Sequence, residues 1–403
     1  MLAHIQREHS INKIFLSCLG LWPFQSKLAR SLIPICYLAI EISYYPLEVL
    51  MIYDHWKDTR LLFDCGSQLV LLTTFVAKLL NELLNHDKIQ SLYETMDNHW
   101  NIFKSESELQ ILKNYSTISR KFTIFYALMM YSMVTVFILI PLTPVFLDII
   151  WPLNESRPRL FAVAVELRID QEKYYTPVFC YNISIIVLGV IIMVGVDSIY
   201  VVCTAHACGL FSIISQQFEE VLSKLDITKQ VSKYERCLNE KFELSSEKEM
   251  YQQYIMCLKK YQLALEFVNI LNSIYQVIAL FLLLLNGITI SLVGIRVVYI
   301  LDQLKEVARF GFIIIGMLVQ LMIICYSGQK LIDESQNVFY QAYAVKWYKF
   351  SPRLKSLLII TLYRSIVPSG LTAGNMVPLS MATYATVVRA ALSYFTTFLS
   401  FKE

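Results

Sequence analysis

Six long apolar stretches are the feature that most restricts the fold of this chain. Each is long enough to cross the hydrocarbon core of a bilayer, which takes about 20 helical residues. Because backbone in lipid must satisfy its hydrogen bonds within its own segment, these stretches are predicted to be helices. A seventh stretch is long enough but rich in hydroxyl side chains. We expect an all-α membrane protein with seven transmembrane helices, near 31–53, 63–84, 122–147, 178–203, 268–300, 310–331 and 378–400.

The lysine and arginine residues predict how the chain is oriented, because cytoplasmic segments beside membrane spans are enriched in them. The intervals on the amino-terminal side hold 22 of these residues, and the opposite intervals hold 9. The amino terminus is therefore predicted in the cytoplasm and the carboxyl terminus outside the cell. A glycosylation sequon at Asn154 falls in the predicted outer loop 148–177 and agrees with this orientation. Seven helices oriented in this way are the inverse of a G-protein-coupled receptor, which disfavours that class.

Three segments on the predicted cytoplasmic side have apolar residues at helical spacing, at 205–225, 247–268 and 333–354. We expect each to be a helix, and we expect the three to pack together as a cytoplasmic anchor region. The third would otherwise expose an aromatic stripe, which a soluble surface rarely does. Its aromatic residues follow at steps of four, four and three: Phe339, Tyr343, Trp347 and Phe350.

The sequence carries no motif for catalysis, for a cofactor or for a metal ion. It lacks the H-E-x-x-H, P-loop, G-x-S-x-G and G-x-G-x-x-G patterns. Its six histidines are scattered, with His206 alone after the fourth span, and its nine cysteines form no C-x-x-C pair. A net charge of +3 without a basic run gives no indication of nucleic acid binding. A disulfide between Cys65 and Cys180, near the outer helix ends, stays open.

Ionisable residues inside a membrane span need a physical reason, and four of those in the predicted spans are considered in turn. Lys78 is in the inner half of the second span and is expected to extend towards the cytoplasmic surface. Asp197 has apolar or small neighbours and is expected to accept a hydrogen bond from another helix rather than to hold an ion. Arg296 can reach the outer interface. Arg389 lies near the middle of the seventh span, which favours contact with water or protein over lipid.

The seventh span presents a stripe of small and hydroxylated residues at heptad spacing. Small residues allow two helices to approach closely, with hydroxyls bonding across the contact. Alternatively, the stripe faces water, because several copies of the helix surround a pore. The sequence leaves both interpretations open. The hydroxyl stripe consists of Thr383, Thr386, Ala390, Ser393, Thr397 and Ser400.

The carboxyl-terminal region resembles the insect odorant receptor family. The resemblance extends more weakly to "DSIYVVCTAHACGLFSII" at 197–214 and to the length and helix number of the chain. The obligate co-receptor of this family is longer than this chain, and its region corresponding to residues 204–267 is extended. The chain is therefore similar to an odour-tuning subunit. The features that carry the resemblance are Glu334-Ser335, Ala342-Tyr343, Trp347, Arg364, Pro368, "LTAGNMVPLS" at 371–380 and "SYFTTFLS" at 393–400.

This resemblance implies a function. Such a protein is a subunit of a ligand-gated, non-selective cation channel in the plasma membrane of the olfactory neuron dendrite. A small volatile apolar odorant opens the channel, which is a heterotetramer with odorant co-receptor subunits. The alternative is a channel of the related gustatory receptor type, whose terminal T-Y-x-x-x-x-x-Q-F pattern is matched here only by Ser393-Tyr394 and Ser400-Phe401. No enzyme activity and no cofactor are implied.

The resemblance also divides the chain into regions. Residues 1–331 would form a six-helix ligand-binding region with a cytoplasmic extension at 204–267. Residues 332–370 would form an anchor helix and a linker, and residues 371–403 a pore-lining helix. Matching the chain ends to the family pattern puts a narrow gate at Thr397 and Phe401, beside Ser400, with Ser393 and Tyr394 in the same pore segment.

The family pattern places the odorant among the second, third, fourth and sixth spans, in the outer half of the membrane. Methionine and aromatic side chains suit an adaptable apolar cavity, and the third span has several of them. Ordinary helix packing explains each of these residues taken singly. The candidate ligand-binding residues are Gln68, Leu69, Leu72, Met130, Met133, Val134, Phe137, Tyr181, Ile185, Leu188, Phe312, Ile313, Gly316 and Met317.

Overall fold

The computed structural model describes residues 8, 10–151, 173–232, 240–300, 304–344 and 347–400, and single positions between 157 and 170. In these parts the chain is almost entirely helical. The helices are α1 (Ser10–Cys18), α2 (Lys27–Ile42), α3 (Tyr45–Asp54), α4 (Thr59–Leu84), α5 (His86–Ile102), α6 (Glu106–Ile150), α7 (Tyr175–Ser232), α8 (Glu240–Tyr299), α9 (Leu304–Tyr343), α10 (Pro352–Ser365) and α11 (Met381–Ser400). Two short strands, β1 (Thr372–Ala373) and β2 (Val377–Pro378), pair antiparallel.

Six described helical segments are long and apolar enough to cross a membrane. α11 has 20 residues but is not among the six, because its hydroxyl side chains and Arg389 lower its mean hydropathy. The predicted all-α, multi-pass membrane fold is confirmed, with six apolar spans followed by the further helix α11. The six segments are Lys27–Asp54, Thr59–Leu84, Glu106–Ile150, Tyr175–Glu220, Lys248–Tyr299 and Val307–Tyr343.

The first span is interrupted near its middle. α2 ends at Ile42, and α3 begins at Tyr45 with Pro46 in its first turn. Proline has no N–H to donate, so it fits the first turn of a new helix but breaks the interior of a continuing one. The interruption brings Tyr44 into the interior, where its side chain is buried.

The prediction of one amphipathic helix over 333–354 is wrong. α9 ends at Tyr343, and α10 begins at Pro352, where Ser351 caps the helix by accepting from the Leu354 N–H at 3.5 Å. The four aromatic residues therefore do not form one helical stripe. Phe350 is buried, whereas Tyr343 and Trp347 are exposed on the isolated chain.

α7 and α8 form the centre of the bundle. In the most apolar 18-residue part of α7, 78% of the residues are buried, against 6% in the corresponding part of α6, so that part of α6 lies at the periphery of the bundle. α7 packs against α1, α4, α6, α8 and α9, while α8 packs against α4, α5, α9 and α11. We call the end that carries α5 and α10 the anchor end. We call the end that carries Trp151 and Tyr174 the loop end.

A hairpin fixes the point where α11 begins. The Gly374 N–H donates to the Gln276 carbonyl oxygen of α8 at 2.7 Å, and the Thr372 N–H donates to Asn272 Oδ1 at 2.8 Å. Gly374 has φ +60°, a conformation that glycine adopts without a steric cost. These contacts hold the hairpin on α8, so α11 begins beside α8.

Candidate ligand cavity and the exposed face of α11

An apolar cavity of about 160 Å³ lies between α4, α6, α7 and α9, towards the loop end. An engineered apolar cavity of about 150 Å³ accepts benzene, so this space suits a molecule of that size class. The residues that line it are Tyr44, Ser67, Gln68, Leu71, Leu72, Phe75, Met130, Met133, Val134, Phe137, Val163, Asn182, Ile185, Ile186, Val190, Met193, Arg309, Phe310, Phe312, Ile313, Gly316 and Met317.

Each of the four helices contributes a stripe at helical spacing. Residues 130, 133, 134 and 137 of α6 are one example, and residues 68, 71, 72 and 75 of α4 are another. Positions separated by three or four residues share one face of a helix. The cavity is therefore formed where four such faces converge.

The structure brings eleven of the fourteen predicted ligand-binding residues around this one cavity. Leu69, Tyr181 and Leu188 are not among its lining residues. Leu69 follows Gln68 by one residue, which turns its side chain by about 100° away from the lining face. Tyr181 lies behind the wall, where its hydroxyl forms a hydrogen bond with Ser43 Oγ at 2.7 Å. That any of the eleven binds a ligand stays a prediction.

The lining residues that sequence reasoning missed include most of the polar ones, such as Tyr44, Ser67, Asn182 and Arg309. Two of them had a detectable signal: Asn182 shares a helical face with Ile185, and Arg309 precedes the Phe312 stripe by three residues. Tyr44 had none, because the interruption of the first span was not expected.

Three of the polar residues at the cavity make contacts within the protein. Asn182 Nδ2 donates to the Val163 carbonyl oxygen at 3.2 Å, and Ser67 Oγ donates to the Asp64 carbonyl oxygen at 2.8 Å. The Arg309 guanidinium lies 5.0 Å from the ring centre of Phe310. An aromatic face attracts a cation at this distance.

A buried ion-pair network lies next to the cavity, on the side of the anchor end. Lys78 Nζ donates to Asp197 Oδ1, and the Tyr126 hydroxyl donates to Asp197 Oδ2 at 2.8 Å. The prediction that Asp197 accepts from another helix is confirmed. The prediction that Lys78 extends to the surface is wrong, since its side chain is fully enclosed.

This network connects three of the helices that form the cavity. Lys78, Tyr126 and Asp197 lie three or four residues from the lining residues Phe75, Met130 and Met193, respectively. That separation is one helical turn. The network and the cavity lining therefore lie on adjacent turns of the same three helices.

Other expectations for charged residues and cysteines have clear outcomes. Arg296, expected to be able to reach the outer interface, pairs with Asp64 at 2.7 Å, and its side chain is 16% exposed. Cys65 and Cys180 are both free thiols. Asn154 lies outside the described residues.

Two histidines stack at the anchor end. His99 Nδ1 and His206 Nε2 are 3.1 Å apart, and the rings are nearly parallel. Phe103 and Phe267 contact the ring of His99. Burial lowers the pKa of His99 to about 4, because an imidazolium would be desolvated there. The described residues contain no group of three or more metal-ligating side chains.

α11 packs one face on α8 and leaves the other exposed on the isolated chain. Its packed face meets Gly287 through Val387 and Gly294 through Phe395. Small residues at a helix contact allow this close approach. Ala391 is buried in the same seam, in a cluster with Ile290.

The exposed face carries most of the hydroxyl stripe. Thr386, Ala390, Ser393, Thr397 and Ser400 are exposed, whereas Thr383 is buried and donates to the Pro378 carbonyl oxygen at 2.6 Å. The hydroxyls of Thr386, Thr397 and Ser400 donate to carbonyl oxygens of α11 itself. Tyr394 and Arg389 are also exposed, and Phe401 lies outside the described residues.

Comparison with known proteins gives consistent matches. The family model described as 7tm Odorant receptor matches residues 62–392. Odorant receptor 33a of Drosophila melanogaster is 27% identical over 138 residues, which are 34% of this chain and 36% of that protein. Odorant receptor 63a of the same species is 22% identical over 250 residues, 62% of this chain and 54% of that protein. The chain thus matches about a third to a half of the length of these relatives.

The fold is similar to a solved structure over its whole length. The olfactory receptor OR5 from Machilis hrabei in complex with eugenol superposes with a TM-score of 0.77 at 11% identity, covering 99% of both chains. The structure of the same receptor, in a second determination, gives a TM-score of 0.74. At this level of identity the similarity establishes the fold.

Proposed function

The chain belongs to the 7tm odorant receptor family, and from this premise we propose that it is the odour-binding subunit of a ligand-gated cation channel. The observation that carries the proposal is the apolar cavity of about 160 Å³ between α4, α6, α7 and α9. Nineteen of the lining positions are apolar or glycine or bear a single hydroxyl, and this composition suits a small volatile molecule. The complex of a receptor of the same fold with eugenol supports the same ligand class.

We assign the channel part of the function to α11. A single helix cannot enclose a path for ions, so the exposed hydroxyl stripe requires several subunits around a common axis. We propose a heterotetramer with odorant co-receptor subunits in the plasma membrane, in which Ser393, Tyr394, Thr397, Ser400 and Phe401 line the narrow path for cations. Because Thr397 carries a hydroxyl, this subunit contributes less to a hydrophobic seal than it would with an aliphatic residue at that position.

The family assignment favours an odorant receptor over a gustatory receptor. The two departures of the terminal segment from the gustatory pattern, at Ser393 and Ser400, agree with this choice. The predicted orientation, with a cytoplasmic amino terminus, also belongs to the proposal.

Electrical recording tests the proposed function. The chain is expressed with and without an odorant co-receptor, and currents are recorded while a panel of volatiles is applied. We expect a non-selective cation current that requires both subunits and that persists in excised membrane patches without nucleotides. Persistence without nucleotides separates a channel from a receptor that signals through a G protein. Absence of any volatile-evoked current, with both subunits shown at the cell surface, would contradict the proposal.

A further inference from the structure

One amide in the cavity wall has an unused hydrogen-bond acceptor. Asn182 is on α7, lines the cavity, and is only 1% exposed. Its Nδ2 donates to the Val163 carbonyl oxygen at 3.2 Å. Within the part of the chain that the structure describes, its Oδ1 is buried and has no hydrogen-bond partner.

The contact with Val163 determines which amide atom stays available. A carbonyl oxygen can only accept, so the amide nitrogen of Asn182 must face Val163. Rotating the amide by 180° would set two acceptors against each other. The atom left over is therefore the oxygen, so the unpaired group of this cavity-lining residue is a buried acceptor rather than a donor.

A second acceptor lies on α4. Gln68 Oε1 is also buried without a hydrogen-bond partner among the described residues, and Gln68 lines the same cavity. Most of the remaining lining is apolar. Buried acceptors without a donor are destabilising, and a ligand that supplies the donor removes that cost.

We propose that Asn182 Oδ1 accepts a hydrogen bond from the ligand, and that this receptor is tuned to small volatile alcohols or phenols. Ethers and hydrocarbons of the same size fill the cavity but leave the acceptor unpaired. A site built around a hydrogen bond discriminates against analogues that lack the bonding group. This inference rests on the proposed function, because it uses the cavity as the odorant site.

Matched sets of ligands test the proposal. One set is hexan-1-ol, methyl pentyl ether and heptane, and the other is benzyl alcohol, anisole and ethylbenzene. Within each set the molecules have the same number of non-hydrogen atoms. We expect the alcohol to evoke half-maximal current at about a tenfold lower concentration than the ether, as one unpaired buried acceptor implies. Equal or greater potency of the ether or the hydrocarbon overturns the proposal.

A substitution assigns the preference to one residue. In Asn182→Leu, the alcohol should lose its advantage over the ether, while the ether keeps its potency within a few-fold. Ile186→Ala is the matched control, because it enlarges the same wall without removing an acceptor. It should change the potencies of alcohol and ether together and preserve their ratio. A loss of fold or surface expression lowers both responses and leaves the ratio unchanged, so the ratio is the readout.

The outcomes separate this inference from the proposed function. If Gln68→Leu abolishes the alcohol preference and Asn182→Leu does not, the assignment to Asn182 is wrong. If the receptor responds to other volatiles but to neither alcohol, the proposed function stands and the ligand class is wrong. If no volatile evokes a current, the proposed function itself fails.

Discussion

Lys78 and Asp197 are each enclosed by the bundle, so each charge depends on the other. Removing one partner of a buried pair leaves an uncompensated charge, which costs about 3–5 kcal/mol, whereas replacing both is often close to neutral. We therefore expect Lys78→Met and Asp197→Leu each to lower the thermal unfolding temperature of the purified receptor strongly. The double variant should be more stable than either single variant.

The matched control for this pair is Lys330–Glu334, an i,i+4 pair in which the lysine side chain is 47% exposed. Exposed pairs contribute below about 1 kcal/mol, so Lys330→Met should change stability little. If the Lys78→Met and Asp197→Leu effects simply add in the double variant, the two charges are not coupled and the network is misassigned.

His99 predicts a pH dependence of stability. Burial holds its pKa at about 4 in the folded protein, against about 6.5 in an unfolded chain. Between these pH values the unfolded chain binds a proton that the folded chain does not. The free energy of unfolding therefore decreases as the pH falls from about 6.5 to about 4, by up to about 3 kcal/mol. Above about pH 6.5 this contribution is fully present.

The measurement is thermal unfolding of the wild-type receptor and of His99→Leu across this pH range. The variant should lose part of the decrease and keep the remainder that other groups supply. His86→Gln is the control, because the pKa of His86 is also lowered but its ring is less buried. Superimposable pH profiles for wild type and His99→Leu would show that His99 is not held neutral by the fold.

At the scale of elements, two glycines of α9 test how closely the carboxyl-terminal segment is packed. A Cβ on Gly328 would lie 2.2 Å from the Leu379 carbonyl oxygen, whereas a Cβ on Gly311 would meet no atom within 4 Å. Gly328→Ala must therefore displace backbone at the start of α11, at a cost of about 1–3 kcal/mol. Gly311→Ala should instead stabilise α9 by about 0.5–1 kcal/mol through helix propensity.

Unfolding temperature and channel assembly report both glycine effects. Because the two positions lie in the same helix and receive the same substitution, helix propensity alone predicts equal gains in stability. A Gly328→Ala receptor as stable as Gly311→Ala would mean that α9 and the residues before α11 are not in contact.

The exposed face of α11 makes a prediction about reactivity. Cysteine at Thr397 should react with a charged thiol reagent in the ligand-bound channel and alter the current, because added charge in a narrow path changes the barrier to ions. Phe395, two residues before Thr397, is the matched position, because its ring packs on Gly294 of α8. Cysteine there should react slowly. Similar reaction rates at positions 395 and 397, with and without ligand, would show that α11 does not line the pore.

The positions of the helices along the chain were predicted better than their rotation about their own axes and the points where they end. Apolar length alone located the spans, because lipid allows little but helices. The end of α9 at Tyr343 was missed, since the segment up to Pro352 keeps helical spacing although its residues fold differently. On α4, the sequence indicated the helix but not its rotation about its own axis, so Gln68 and Leu72 lie on the cavity face and Leu69 does not, while ligand binding by any of them stays a prediction. Rotation of a helix depends on its neighbours, which one sequence does not specify.

At the scale of the whole molecule, the least predictable features are those that need distant residues. The pairing of Lys78 with Asp197 joins positions 119 residues apart, and the stack of His99 on His206 joins positions 107 apart. Composition indicated that Asp197 needed a donor but not which one. The polar wall of the cavity has the same origin, because Tyr44, Asn182 and Arg309 meet only when three separate segments pack.

The orientation of the whole molecule is the last prediction. The interval 204–267 and the other intervals on that side hold most of the lysines and arginines, 22 against 9 on the opposite side. Retaining that side in the cytoplasm avoids moving many charges across the bilayer. A tag after Glu403 should bind antibody on intact cells, while tags before Met1 and within 233–239 should require permeabilisation. A single intact-cell signal from the 233–239 tag, with none from Glu403, would reverse the orientation and move the cavity to the cytoplasmic half of the membrane.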